Sequence, residues 1–231
     1  MGPPSCDRQA VAPGAAEQRV GLPGEKDLRQ NELIFADFEA SGLRFLSYPI
    51  EVGWAWAEAG HVEARSVLIA PTQDWLSWTT GWREESERLH GLSREKLLAE
   101  GAAPTDVCQI LNREWREKEI VFDTGPGAHD ARWLSILLGA GAISPTFAVA
   151  QETSESRILE YGRLMNIADE VVQRLETLAP KRTHRAAHDA AHWAWRKAAL
   201  QLIGESGARA SEAVADIASS ITVRFEPAQQ N

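Results

Sequence analysis

The sequence predicts an α/β fold, a mixed sheet of about five strands flanked by helices. Three observations carry that prediction. Three apolar runs with turn-like breaks fall in the first third of the chain. A short apolar run, Val121-Phe122, stands between two helical stretches. The last third is mainly helical, with apolar positions at helical spacing.

In chain order, residues 1–30 are dominated by Pro, Gly and polar residues without periodicity and read as a flexible leader. One folded domain is expected over 31–222, with a tail over 223–231. Strands are predicted at 32–38, 50–57 and 62–69, forming an antiparallel meander. Trp75, Trp78 and Trp82 fall at helical spacing and read as cover for a core edge. Ser93 is placed to cap a short helix ending near Ala99, and Thr105 one over 106–117. A fourth strand is expected at 119–123, a helix from Asp130 to about 138, and a fifth strand near 146–150. One long helix is expected over 155–178, stopped by Pro180, then helices over 185–203 and 209–220.

Composition narrows the classes of function. The chain has 231 residues, 44% hydrophobic and 25% charged, which suits one globular domain. Its net charge of -9 argues against tight, unspecific binding along a duplex, which needs a broad basic surface. A local basic group does exist in Lys181, Arg182, Arg185, Arg196 and Lys197. The only cysteines are Cys6 and Cys108, so no structural disulfide is expected, and a reducing cytoplasm is the expected location. No secretory or membrane-spanning pattern is expected either.

Chemistry concentrates at Asp37-Phe38-Glu39. Residues i and i+2 of a strand share a face, so both carboxylates project together from the end of Leu33-Ile34-Phe35-Ala36. Phe38 points the other way, into core. Paired anions at this spacing raise each other's pKa unless a cation separates them, and hard oxygen ligands suit Mg²⁺ or Mn²⁺. Asp130 opens an apolar helix after the Gly/Pro loop Thr124-Gly125-Pro126-Gly127. Asp123 reads as a loop-starting residue. His184, His188 and His192 would form one stripe on a continuous helix, a pattern also open to reading as a zinc site.

Together these motifs resemble the DEDDh 3′→5′ exonuclease family, over roughly residues 31–203. Asp37-x-Glu39 with trailing Gly42-Leu43 is similar to its first motif, Asp130 to its mid-chain helix head, and His184 with Asp189 to its last. Tyr48 to Gly53 looks like the start of its second strand, and His90-Gly91-Leu92-Ser93 resembles a stretch that precedes its second acidic motif. The chain departs from the family in the Gly/Pro-rich loop before Asp130 and in His129, where many members have Phe.

The resemblance implies an RNase H-like fold and two divalent ions, Mg²⁺ or Mn²⁺. Asp37 would bridge both ions, Glu39 and Asp189 would help hold the first, and Asp130 the second. His184 would take the proton from the attacking water, a role suited to imidazole. His188 and His192 then read as ordinary, partly exposed helix residues. Ala40, Ser41, Gly42, Leu43 and Arg185 are the expected substrate contacts, with Leu43 wedged against terminal bases. The implied substrate is a single-stranded or frayed 3′ end, and DNA and RNA both fit. Association as a homodimer or with a polymerase is the implied protein partnership. An RNA-trimming enzyme and a catalytically silent binding module are the competing readings.

Overall fold

The computed structural model describes residues 33–58, 60–124, 129–207 and 211–228. The expected leader and Gly125 to Gly127 lie outside the described residues. Six strands form one sheet in the order β5-β4-β1-β2-β3-β6. These are β1 (Leu33–Ala40), β2 (Pro49–Glu58), β3 (His61–Leu68), β4 (Glu119–Phe122), β5 (Ala148–Val149) and β6 (Thr222–Pro227). The meander β1-β2-β3 is antiparallel, as expected. The pairs β1–β4, β4–β5 and β3–β6 are parallel, so the sheet is mixed.

Within the expected tail, residues 223–227 instead belong to a strand, because Thr222–Pro227 pairs along the free edge of β3. Its residues are almost all exposed, and Arg224, Glu226 and Pro227 give it the composition of a tail. A mostly exposed edge strand carries little apolar alternation to detect.

Nine helices are present among the described residues. They are α1 (Gln73–Leu76), α2 (Glu84–His90), α3 (Arg94–Glu100), α4 (Pro104–Glu114) and α5 (His129–Gly141). Then follow α6 (Ser154–Leu164), α7 (Asp169–Leu178), α8 (Ala186–Ser206) and α9 (Ser211–Ser220). The long helix expected over 155–178 is broken into α6 and α7. Asn166 adopts a left-handed φ of 54°, which ends the first segment without Gly or Pro. Trp75 to Trp82 is mostly irregular: α1 is capped by Thr72 and ends at Leu76. Ser93 caps α3 as expected, whereas α4 starts earlier, with Pro104 in its first turn. Among the described residues, no helix is long and apolar enough to cross a membrane.

Strand alternation divides the core in two. Ile34, Ala36, Phe38 and Ala40 face a cluster with Leu97, Leu111, Trp133 and Leu137, from α3, α4 and α5. Leu33 and Phe35 face the opposite cluster, with α6, α7, α8 and α9. Asp37 and Glu39 continue this second face, so one strand surface turns from apolar to acidic along its length.

On that face α8 lies very close to the sheet. A Cβ on Gly53 would come within 2.1 Å of the Ala187 nitrogen and 2.2 Å of the Ala186 carbonyl carbon. Gly53 sits opposite Asp37 across the β1–β2 pair. The missing side chain therefore sets the first turn of α8 directly over the acidic end of β1. Ala55, Ala190, Ala191 and Ala194 continue the small-residue contact. Cys108 is buried beneath α5, and burial pushes its thiol up to about 11, which fits an unreactive packing residue.

Candidate active site

Glu39, His184 and Asp189 offer ligand atoms that all lie within 4.8 Å of one another. Three elements converge there. Glu39 comes from β1, Asp189 from the first turn of α8, and His184 from the turn just before that helix. His184 has a φ of 55°, a left-handed backbone that is uncommon outside Gly, although histidine, like Asn and Asp, is among the side chains that adopt it more readily. Because α8 begins at Ala186, His184 stands just before the helix start and forms no helical stripe with His188 and His192.

Asp37 belongs to the same electrostatic cluster. Its pKa is raised well above the ordinary range, first by burial and then by Asp130, Glu39 and Asp189. Asp130 reaches the site from α5, on the other side of the sheet, and is buried. The Thr124 amide donates to its Oδ2 at 3.3 Å, and the Thr124 hydroxyl is bonded to the same oxygen. Burial still pushes Asp130 up to about 6 against those bonds. Glu39 is pushed up to about 8 by burial, Asp189 and Glu51, with Arg185 opposing. Asp189 is also raised, mainly by burial, although the Thr183 amide donates to its Oδ1 at 2.9 Å. Four crowded acids with raised pKa values form a donor set that suits hard divalent cations.

Glu51 is a site residue that sequence reasoning did not single out. It lies opposite Glu39 across the strand pair and is fully buried. Arg185 forks onto it, Nε at 3.0 Å and Nη2 at 2.8 Å, and the Ala186 amide donates to it at 3.2 Å. One buried anion thus satisfies the first amide of α8 and fastens that helix to β2. Arg185, expected at the substrate, is engaged by this bond.

The other expected residues fall as follows. Ser41 is consumed by structure: its hydroxyl donates to the Gly81 carbonyl at 2.7 Å and accepts from the Tyr48 amide at 2.9 Å. Its own amide bonds the Tyr48 carbonyl. The amides of Gly42 and Leu43 have no acceptor among the described residues. Leu43 is 66% exposed and Phe45, unnoticed in the sequence, is 85% exposed. Arg132, two residues into α5 from Asp130, donates to the Arg44 and Phe45 carbonyls and lies over the Phe45 ring. That latch ties the loop after β1 to the helix that carries Asp130.

Asp123 is paired with Arg182 at 2.6 Å. Most of the expected basic patch is likewise engaged. Arg196 is buried against Glu155 and Glu176, and Lys197 lies over Tyr161, while Lys181 is exposed. His192 is buried rather than partly exposed, bonded to the Pro180 carbonyl at 2.9 Å and to Glu176 at 3.3 Å. Trp75, Trp78 and Trp82 gather around buried Tyr48, and so pack under the loop after β1.

The acids dictate a stability response. Folded Glu39 and Asp130 hold protons above the pH at which an unfolded carboxylate loses them. The folded state therefore binds more protons between about pH 4 and 8, and stability falls as pH rises through that window. For Glu39 alone the effect is on the order of a few kcal/mol. A bound cation replaces those protons, so its stabilisation grows with pH. Melting in EDTA should occur at lower temperature at pH 8 than at pH 6, and millimolar Mn²⁺ should raise it more at pH 8. An unchanged melting temperature with Mn²⁺ at both values would contradict a cation site.

The layered arrangement, with acids at the end of β1 and helices on both faces of a mixed sheet, is the RNase H-like architecture. Solved structures share it. Escherichia coli exonuclease I in complex with a dA16 oligonucleotide superposes with a TM-score of 0.54 at 13% identity, covering 81% of this chain and 42% of that one. The zinc-ion-bound form of the E. coli ExoI–ssDNA complex gives 0.50 at 14% identity, over 81% and 42% of the two chains. Exonuclease I from Methylocaldum szegediense gives 0.50 at 12% identity, over 72% and 40%. The chain spans about two-fifths of the length of these proteins, and at such identities the likeness is one of fold. No family model matches the sequence, and a search of curated proteins returns no match.

Proposed function

We propose that this chain is a metal-dependent 3′→5′ exonuclease that removes nucleoside monophosphates from single-stranded or frayed 3′ ends. The observation that carries this reading is the gathering of Glu39, His184 and Asp189 within 4.8 Å, in one electrostatic cluster with Asp37 and Asp130. The fold's likeness to exonuclease I bound to single-stranded DNA supports it. A silent binding module has no use for four crowded acids whose charge opposes folding.

Asp37, Glu39, Asp130 and Asp189 would hold the ions, Mg²⁺ or Mn²⁺. Bound there, divalent cations stabilise charge on the attacking and leaving oxygens of an in-line phosphodiester displacement. The remaining work falls to the protein. His184 is exposed beside Glu39 and Asp189, where its imidazole takes the proton from the attacking water. Leu43 presents apolar surface and Phe45 an aromatic ring for unpaired terminal bases, and stacking on an aromatic ring contributes about 1–3 kcal/mol per base. The Gly42 and Leu43 amides, which have no acceptor among the described residues, would bond the terminal hydroxyl. Glu51 and Arg185 keep α8 seated while these groups act.

A time course on matched 3′-labelled and 5′-labelled oligonucleotides of DNA and RNA, with Mg²⁺ or Mn²⁺, tests this. The expected result is a 5′-labelled ladder shortening stepwise, with the 3′ label released at once as mononucleotide. Degradation of RNA alone would move the assignment to an RNA-trimming enzyme. Intact oligonucleotides of both sugars would overturn it.

A further inference from the structure

The left-handed His184 backbone is uncommon for a residue other than Gly, and contacts around it hold the turn in place. Two of the holding contacts pass through Thr183. Its amide donates to Asp189 Oδ1 at 2.9 Å, and its hydroxyl bonds His188 Nδ1 at 2.8 Å. The His188 ring in turn packs on Phe225 with centroids 4.4 Å apart. Phe225 belongs to β6 and is fixed in register opposite Ala64 of β3. Beside His188 lies a cavity of about 250 Å³, lined also by Arg185, Ser66 and Glu226. The ring is therefore open on that side, with Thr183 bonded to its Nδ1 and Phe225 packed against its face.

We propose that His188 and Phe225 are positioning residues, and that the edge strand β6 sets the geometry of the His184 turn through them. The order of contact is Phe225, His188, Thr183, and then the turn that aims His184 at Glu39 and Asp189. This assigns a role to a helix histidine and to a strand residue that lie outside the group formed by Glu39, His184 and Asp189. The effect on turnover rests on the exonuclease reading above. The mechanical coupling does not, and it can be measured alone.

The test uses the full chain with Thr183→Val, His188→Ala, His188→Asn and Phe225→Ala. Amide hydrogen exchange at Thr183 and His184 reads the coupling directly. Steady-state kinetics on a single-stranded oligonucleotide with Mn²⁺ read its consequence. Exchange at Thr183 should accelerate in His188→Ala and Phe225→Ala. Turnover should fall about ten-fold in Thr183→Val and His188→Ala, and less in Phe225→Ala, with KM nearly unchanged, because a misaimed base slows chemistry without weakening binding. His188→Asn should recover most of the rate, since its amide can occupy the place of Nδ1. Wild-type exchange at Thr183 in both His188→Ala and Phe225→Ala would overturn the coupling. Normal turnover in Thr183→Val and His188→Ala, a loss confined to KM, or no recovery in His188→Asn would overturn the positioning role. A wild type inactive on every oligonucleotide would sink the exonuclease reading instead, while the exchange data still decide the coupling.

Discussion

Asp37→Asn should abolish hydrolysis while the protein stays folded and melts at higher temperature in EDTA. Asp37 lies among the site's other acids, and burial together with Asp130, Glu39 and Asp189 makes its negative charge costly, raising its pKa well above the ordinary range. Removing one anion relieves that repulsion, so the ion-free protein gains stability. The same change removes the donor at the centre of the cluster, and the neighbouring acids belong to other positions of the site. Asp189→Asn should likewise be inactive, because Asp189 lies within the 4.8 Å group. Chelation should reproduce the loss in wild type, and added Mn²⁺ should reverse it. Activity assays and melting curves on the same samples check both halves. Full activity in EDTA would end the two-metal reading.

His184→Ala should lower turnover by roughly 10²–10⁴, the range for losing a positioned general base. Its KM should change little, because the carboxylates and the apolar loop residues remain. The Mn²⁺-induced rise in melting temperature should persist, which separates a proton acceptor from an essential metal ligand. Added imidazole should restore part of the rate. A variant that loses the Mn²⁺ shift together with activity would make His184 a ligand first. His192→Ala should act differently, lowering stability, because His192 is buried between Pro180 and Glu176.

The acidic centre was legible because its signals are local. Asp37 and Glu39 share a strand face, Asp130 heads a helix, and His184 with Asp189 brackets the start of another. The meander was legible for the same reason, in alternation and turns. What escaped depends on distant partners or lacks local punctuation. Nothing near Glu51 says that Arg185, far along the chain, will neutralise it. Arg196 looks like surface charge until Glu155 and Glu176 close over it. The break after α6 falls at Asn166, with no Gly or Pro to mark it. Nothing in the sequence around Phe45 marks it as exposed, and only the loop's path shows it left in water.

The parallel pairing of β3 with β6 also bears on how the chain acquires its structure. His61 must find Thr222, and Val62 must find Val223, across nearly the whole intervening domain. Contacts between such distant segments impose a large loop-closure entropy before they return stability, so this pairing belongs late in folding. Until then β3 offers an unpaired edge, bearing Val62 and Ala64, to other nascent chains. Once docked, β6 replaces it with a short outer edge carrying Arg224, Glu226 and Pro227, residues that discourage further strand addition. Yield of soluble protein should therefore depend on temperature and concentration during synthesis more than on equilibrium stability. A chain ending before Thr222 would be prone to aggregate even with every proposed catalytic group in place.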